Sequence, residues 1–320
     1  MPRAEDQVMR PRGALHVTLA IFLAASAMRA DAQQAVQASP ADAPVARFRS
    51  AVNLVSVSAV VRDKRGKVMP ALLEQDFEVF DSGQRRELLT FHSDSSAAAS
   101  VAILVDGSGS MVLGSARDHA RQISTGVLAS LTPGRDAAAL LSFDTRLVTL
   151  CDFTGNFELI RTGLASVEAF GSTSLYDAIA GSAALTADRA QNRRAVIVLS
   201  DGTDTTSTYS PAQVSWIAST IDVPVYVFAV GDGPVVREID EEGQRPQPLA
   251  EIARATGGDF FVANTPELIA AAVQRVTEEL RHQYVLAFES SSETGLRRLD
   301  VRTRKRDLKV TSRRWYQAGY

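Results

Sequence analysis

The sequence predicts an α/β fold: a doubly wound, mostly parallel sheet with helices on both faces, inserted in a smaller β-sandwich domain. Three observations carry this. Residues 100–282 alternate short apolar runs with segments of helical period. Two of those runs, Val101–Val105 and Ala195–Leu199, are apolar at every position, as a strand buried on both faces requires. On either side of this block hydrophobicity alternates with period two, the pattern of strands that bury one face only.

The elements follow in chain order. Arg10 and Arg12 precede an apolar stretch, Ala14 to Ala27, and Ala30-Asp31-Ala32 supplies small residues where a signal peptidase cuts. This predicts a signal peptide over residues 1–32. The stretch has 14 residues, short of the ~20 that span a bilayer, so cleavage is expected and no transmembrane span in the mature chain. Residues 33–46, rich in Ala, Gln and Pro, read as a linker. Residues 47–95 read as β strands: Val55, Val57, Ala59 and Val61 alternate, and Asp63-Lys64-Arg65-Gly66-Lys67 reads as a hairpin turn. Phe77 to Phe80, the turn Asp81-Ser82-Gly83-Gln84 and Glu87 to Phe91 repeat strand, turn, strand.

Residues 97–282 form the α/β block. Strands are expected at Val101–Val105, Ala137–Phe143, Leu147–Cys151, Ala195–Leu199, Val223–Val230 and Phe260–Val262. Helices are expected near Ala116–Leu131, Phe157–Glu168, Leu175–Ala190, Pro211–Ile221, Pro248–Thr256 and Pro266–His282. Ala116, Ala120, Ile123, Val127 and Leu131 recur at three- and four-residue steps, an amphipathic stripe. Only Asp144-Thr145-Arg146 separates the second strand from the third. That is too short for a parallel crossover, so this pair is expected to be antiparallel. Residues 283–320 return to period two, with strands at Tyr284–Phe288, Arg297–Thr303 and Leu308–Ser312. Neither β part can bury a core alone, so the two are expected to join in one sandwich.

Composition narrows the function classes. The 320 residues are 45% hydrophobic and 22% charged, ordinary for a globular protein. A net charge of −3 gives no case for nucleic acid as partner. Cys151 is the only cysteine, so stability has to come from core burial and not from disulfides. It reads as a buried, inert thiol.

The chemistry is concentrated in three loops. Asp106-Gly107-Ser108-Gly109-Ser110 follows the first apolar strand and presents a carboxylate and two hydroxyls at alternate positions. Gly171-Ser172-Thr173-Ser174 precedes a helix, and Ser200-Asp201-Gly202-Thr203-Asp204 follows the second apolar strand. In an open α/β sheet such loops share one face, at the carboxyl ends of the strands. Their donors are hard oxygens, suited to Mg²⁺, Mn²⁺ or Ca²⁺. The order D-x-S-x-S, then T, then D resembles the metal-ion-dependent adhesion site of the von Willebrand factor A family. Asp106, Ser108, Ser110, Thr173 and Asp201 match the family's five metal-binding positions. The resemblance covers the whole α/β block and implies the same fold with one antiparallel edge strand. It also implies that the ion keeps a coordination position for an Asp or Glu of a protein partner. The flanking β segments resemble, more loosely, those of exported bacterial members.

The reading is therefore an exported, non-enzymatic module, secreted or periplasmic, that binds an acidic protein partner through a divalent ion. Two rivals stand beside it. A metal-dependent hydrolase would use the ion as a Lewis acid, but the metal loops hold no base or nucleophile, the four His residues form no cluster, and Ser108 lies outside any G-x-S-x-G. No Walker lysine follows the Gly-rich loop. A structural subunit of an envelope assembly would use the metal only to staple loops. Residues 297–314 hold nine Lys or Arg against Asp300 and Asp307, read as solvated faces of edge strands. The acidic loop Arg237–Gln247 is expected near the metal face.

Overall fold

A computed structural model describes residues 53–167, 171–191, 193–231 and 247–319. The expected signal peptide, the linker and most of the 237–247 loop lie outside the described residues.

The described residues open with four strands, β1 (Leu54–Asp63), β2 (Phe77–Asp81), β3 (Gln84–Arg86) and β4 (Leu88–His92). The α/β block follows: β5 (Ala99–Asp106), α1 (Ala116–Ser130), β6 (Ala137–Phe143), β7 (Leu147–Thr154), α2 (Phe157–Ala165) and α3 (Leu175–Ala187). It continues with β8 (Arg193–Ser200), α4 (Pro211–Thr220), β9 (Val225–Val230), α5 (Gln247–Thr256), β10 (Phe260–Ala263) and α6 (Pro266–Arg281). Four strands close the chain: β11 (Tyr284–Glu289), β12 (Gly295–Thr303), β13 (Leu308–Ser312) and β14 (Trp315–Ala318).

The central sheet has the order β10-β9-β8-β5-β6-β7. All its pairs are parallel except β6 with β7, the edge pair. Strand β5 is buried at all eight positions, and its alternation sorts its side chains between two cores. Val101, Ile103 and Val105 face one core with Ile123 and Val127 of α1, Ile160 of α2 and Val276 of α6. Ala102 and Leu104 face the other with Ile179 of α3, Val214 of α4 and Ile252 of α5. Helix starts are encoded locally. Ser210 and Gln213 form a reciprocal capping box before Pro211, and Thr265 Oγ1 accepts from Leu268 N–H before Pro266.

The flanking strands build two antiparallel sheets, each drawing on both ends of the chain: β13-β1-β11-β4 and β14-β12-β2-β3. Their inner faces enclose Val57, Val61, Phe77, Val79, Leu286, Phe288, Leu299 and Tyr316. Phe77, Phe91 and Tyr284 cluster with ring centroids 4.9–5.8 Å apart.

Four expectations need correction. The turn at Asp63–Lys67 does form, with Asp63 Oδ1 accepting from the N–H groups of Arg65 and Lys67, but no hairpin follows. The returning chain makes a single bridge, Arg62 with Val68, then meets Pro70, which has no N–H to extend a ladder, and crosses to the other sheet. A fourth C-terminal strand, β14, pairs with β12. Cys151 is half-buried and not fully buried; partial burial and the neighbouring Asp152 push its thiol up from the ordinary range. Two of the nine basic residues of 297–314 are not solvated. Arg297, 7% exposed, pairs with the buried Asp81 at 2.6 Å. Arg313, 5% exposed, donates to the carbonyls of Ser219, Thr220 and Ser56.

Candidate metal centre

Strand β5 lies between β8 and β6. The chain runs from β5 to β6 on one side and later lays β8 on the other, so the strand order reverses between β5 and β8. Crevices form at the carboxyl ends of such strands. Asp106 ends β5 and Asp201 follows β8, and the register that pairs Val105 with Leu199 brings the two strand ends together.

Four of the five sequence-derived candidates are buried: Asp106, Ser108, Thr173 and Asp201 are 1–4% exposed. Ser110 is half-buried. Asp106 Oδ1 accepts from Ser108 N–H at 2.8 Å, which folds the loop back on its carboxylate. The Ser108 and Ser110 hydroxyl oxygens lie 3.0 Å apart. Gly107 N–H donates to Phe143 O at 2.7 Å, anchoring the loop to the end of β6. Gly109 N–H donates to Gly171 O at 3.4 Å, which draws the Thr173 segment alongside.

Thr173 is held through its backbone, leaving its side chain uncommitted. Its N–H donates to Thr205 Oγ1 at 2.9 Å, and its carbonyl accepts from the N–H groups of Thr205 and Thr206. Asp201 Oδ1 accepts from Thr203 N–H at 3.0 Å. Among the described residues, the Thr173 hydroxyl and the second Asp201 oxygen take part in no hydrogen bond.

Burial dominates the electrostatics. It pushes the Asp106 carboxyl up to about 6, with the Asp201 charge adding to the rise, although hydrogen bonds from Ser200 and Ser108 oppose it. Among the described residues, no Lys, Arg or His forms an ion pair with Asp106 or Asp201. Two buried acids therefore share a crevice with hydroxyls and no balancing cation. No cluster of three or more His, Cys, Asp or Glu is placed to hold a metal among the described residues, so a metal here would need the hydroxyl donors as well as the carboxylates.

Several supporting residues escaped sequence reasoning. Ser200 Oγ donates to Asp106 Oδ2 at 2.6 Å and accepts from Gly202 N–H at 3.0 Å. Asp204 Oδ1 accepts from Leu175 N–H at 2.8 Å and from Ser207 Oγ at 2.5 Å. The Asp177 carboxylate accepts from the N–H groups of Thr208 and Tyr209 at 2.8–3.0 Å. Together they staple the loop after β8 to the start of α3. The signal was present as an unbroken polar run, Asp204 to Thr208, directly after the Asp201 motif. A run that dense in short hydroxyl residues offers side-chain partners for orphan helix N–H groups.

Residues 101–203 match the family model for the von Willebrand factor type A domain. A comparison with curated proteins finds no match. Among solved structures, the chain is similar to the conserved hypothetical protein BatB from Bacteroides thetaiotaomicron (19% identity, 57% of this chain and 98% of that chain, TM-score 0.46). It is similar to a von Willebrand factor type A protein from Catenulispora acidiphila (13% identity, 75% and 74%, TM-score 0.48). It is also similar to proximal thread matrix protein 1 from the mussel byssus, in a structure with a zinc-occupied MIDAS motif (16% identity, 62% and 49%, TM-score 0.49). The family match spans β5 through the loop after β8, the segment that holds all five candidate ligands.

Proposed function

We propose that this chain is an exported, non-enzymatic binding module that grips an Asp or Glu of a protein partner through a divalent ion at Asp106, Ser108, Ser110, Thr173 and Asp201. The observation that supports this best is the unbalanced charge. Burial makes the Asp106 carboxylate costly to keep ionised, and a hard divalent ion would offset that cost. Ser108, Ser110 and Thr173 would offer neutral oxygens, and Asp106 and Asp201 the negative charge, directly or through water. The Ser108 and Ser110 hydroxyl oxygens lie 3.0 Å apart, close enough to serve one ion together. The bound ion would supply a Lewis-acidic position for the partner's carboxylate. Ser200 would hold Asp106 in orientation and favour its charged form. A hydrolase reading gains no support, because no His is hydrogen-bonded to Asp106, Ser108, Ser110 or Asp201 among the described residues.

Titration calorimetry with MgCl₂ and MnCl₂ tests the assignment. Saturable binding is expected in the wild type and a loss of at least tenfold in Asp201→Ala, with the circular dichroism spectrum unchanged. Equal affinity in the two proteins would refute the site.

A further inference from the structure

Away from the metal loops, at the amino-terminal ends of β9 and β10, the α/β block meets the β-sandwich around a cleft of about 320 Å³. Six cationic side chains line it against two acids. Arg62 is 6% exposed and pairs with the fully buried Glu279; its Nε has no hydrogen-bond partner. Arg275 shares Glu279 at 3.1 Å and also takes Asp259 at 2.5 Å. Arg313 faces Asp222 at 3.3 Å, and Asp300 pairs with Arg302 at 2.6 Å. Every acid in or behind the cleft is thus engaged. Arg254, Lys309 and Arg314 remain, all exposed and none with an acidic partner among the described residues. The floor is close-packed backbone: a Cβ on Gly258 would lie 2.0 Å from Val225 O.

We propose that this cleft binds a small phosphate-bearing anion of about pyrophosphate size. Three cations without an acidic partner among the described residues, from α5, β13 and the turn before β14, converge on this cleft of about 320 Å³. Guanidinium forks suit the oxygens of a multiply charged phosphate, and the ion pairs of Arg62 and Arg275 with Glu279 and Asp259 tie those acids up behind the cleft. The site is independent of the metal face.

Calorimetry on the full, metal-free chain at low ionic strength tests this, with inorganic phosphate, pyrophosphate and citrate as separate probes. Pyrophosphate should bind saturably, more tightly than phosphate or citrate. Arg254→Ala/Arg314→Ala should weaken it at least tenfold; both side chains are exposed, so the fold should hold. Lys309→Glu gives a second, single-site check with the same sign. Absence of saturable binding, equal affinity in the variants, or citrate binding as tightly as pyrophosphate would overturn the proposal.

Discussion

Replacing Asp106 by Asn should stabilise the metal-free protein near neutral pH while removing its metal affinity. The wild-type carboxyl is 1% exposed and held at about 6, against an ordinary value of 3.8. Ionising it inside the fold therefore costs about two pH units' worth of free energy, about 3 kcal/mol at 1.36 kcal/mol per unit. The native state keeps this proton up to about pH 6, whereas the unfolded chain releases it near 3.8. The metal-free wild type thus loses this increment as pH rises through that window and does not regain it above. Asparagine carries no charge at any pH, and its side-chain carbonyl can still accept from Ser108 N–H or Ser200 Oγ. Allowing about 1 kcal/mol for imperfect replacement of those bonds, the variant should gain about 1–3 kcal/mol near neutral pH and little near pH 5. Urea denaturation of both proteins at the two pH values, after removal of divalent ions, measures this. Mg²⁺ at a thousandfold its Kd should reverse the ranking, since that adds about 4.1 kcal/mol to the protein that binds it. An Asn variant less stable than the metal-free wild type near neutral pH, or a difference independent of pH, would refute the account of Asp106.

Ser200→Ala removes the 2.6 Å bond to Asp106; the carboxyl should titrate higher still and Mg²⁺ affinity should fall about tenfold, the equivalent of one charge-assisted hydrogen bond of about 1.5 kcal/mol, by calorimetry. Arg297→Ala leaves Asp81, fully buried, with Arg86 as its remaining cation, and a cost of about 3 kcal/mol is expected from the unbalanced charge, read as a lower thermal midpoint with metal affinity unchanged.

The α/β block was legible because its strands are nearly uniform in hydrophobicity and its helices carry sharp starts such as Ser210-Pro211 and Thr265-Pro266. Both effects are local, so spacing in the chain reports them. The antiparallel β6–β7 pair was legible for a related reason, since three residues cannot cross a sheet. What escaped notice depends on partners far away in sequence. Arg297 and Arg313 look like surface cations until Asp81 and Asp222, 216 and 91 positions distant, come into contact with them. Strand β14 was invisible because Trp315 to Ala318 is too short to show a period. In the metal loops, the five candidate ligands stood out as a motif. Ser200 did not, because its partner Asp106 lies on a different strand and becomes its neighbour only through sheet register.

The sandwich's two-ended construction also has a consequence for the order in which the chain matures. Strand β4 ends at His92 and β11, its neighbour in the sheet, begins at Tyr284. Closing an unstructured loop of about 190 residues would cost about 4–5 kcal/mol beyond a constant. Once the intervening block has folded, its two ends emerge on adjacent strands and that cost has already been met. Strands β1 and β4 are synthesised early, yet β11 and β13, their ladder partners, are among the last to be made. Until then the apolar faces of Val57, Val61 and Phe91 have no sheet to complete. A chain truncated shortly after α6 would keep its metal loops intact and carry an unfinished, adhesive sheet edge into whatever compartment it reached.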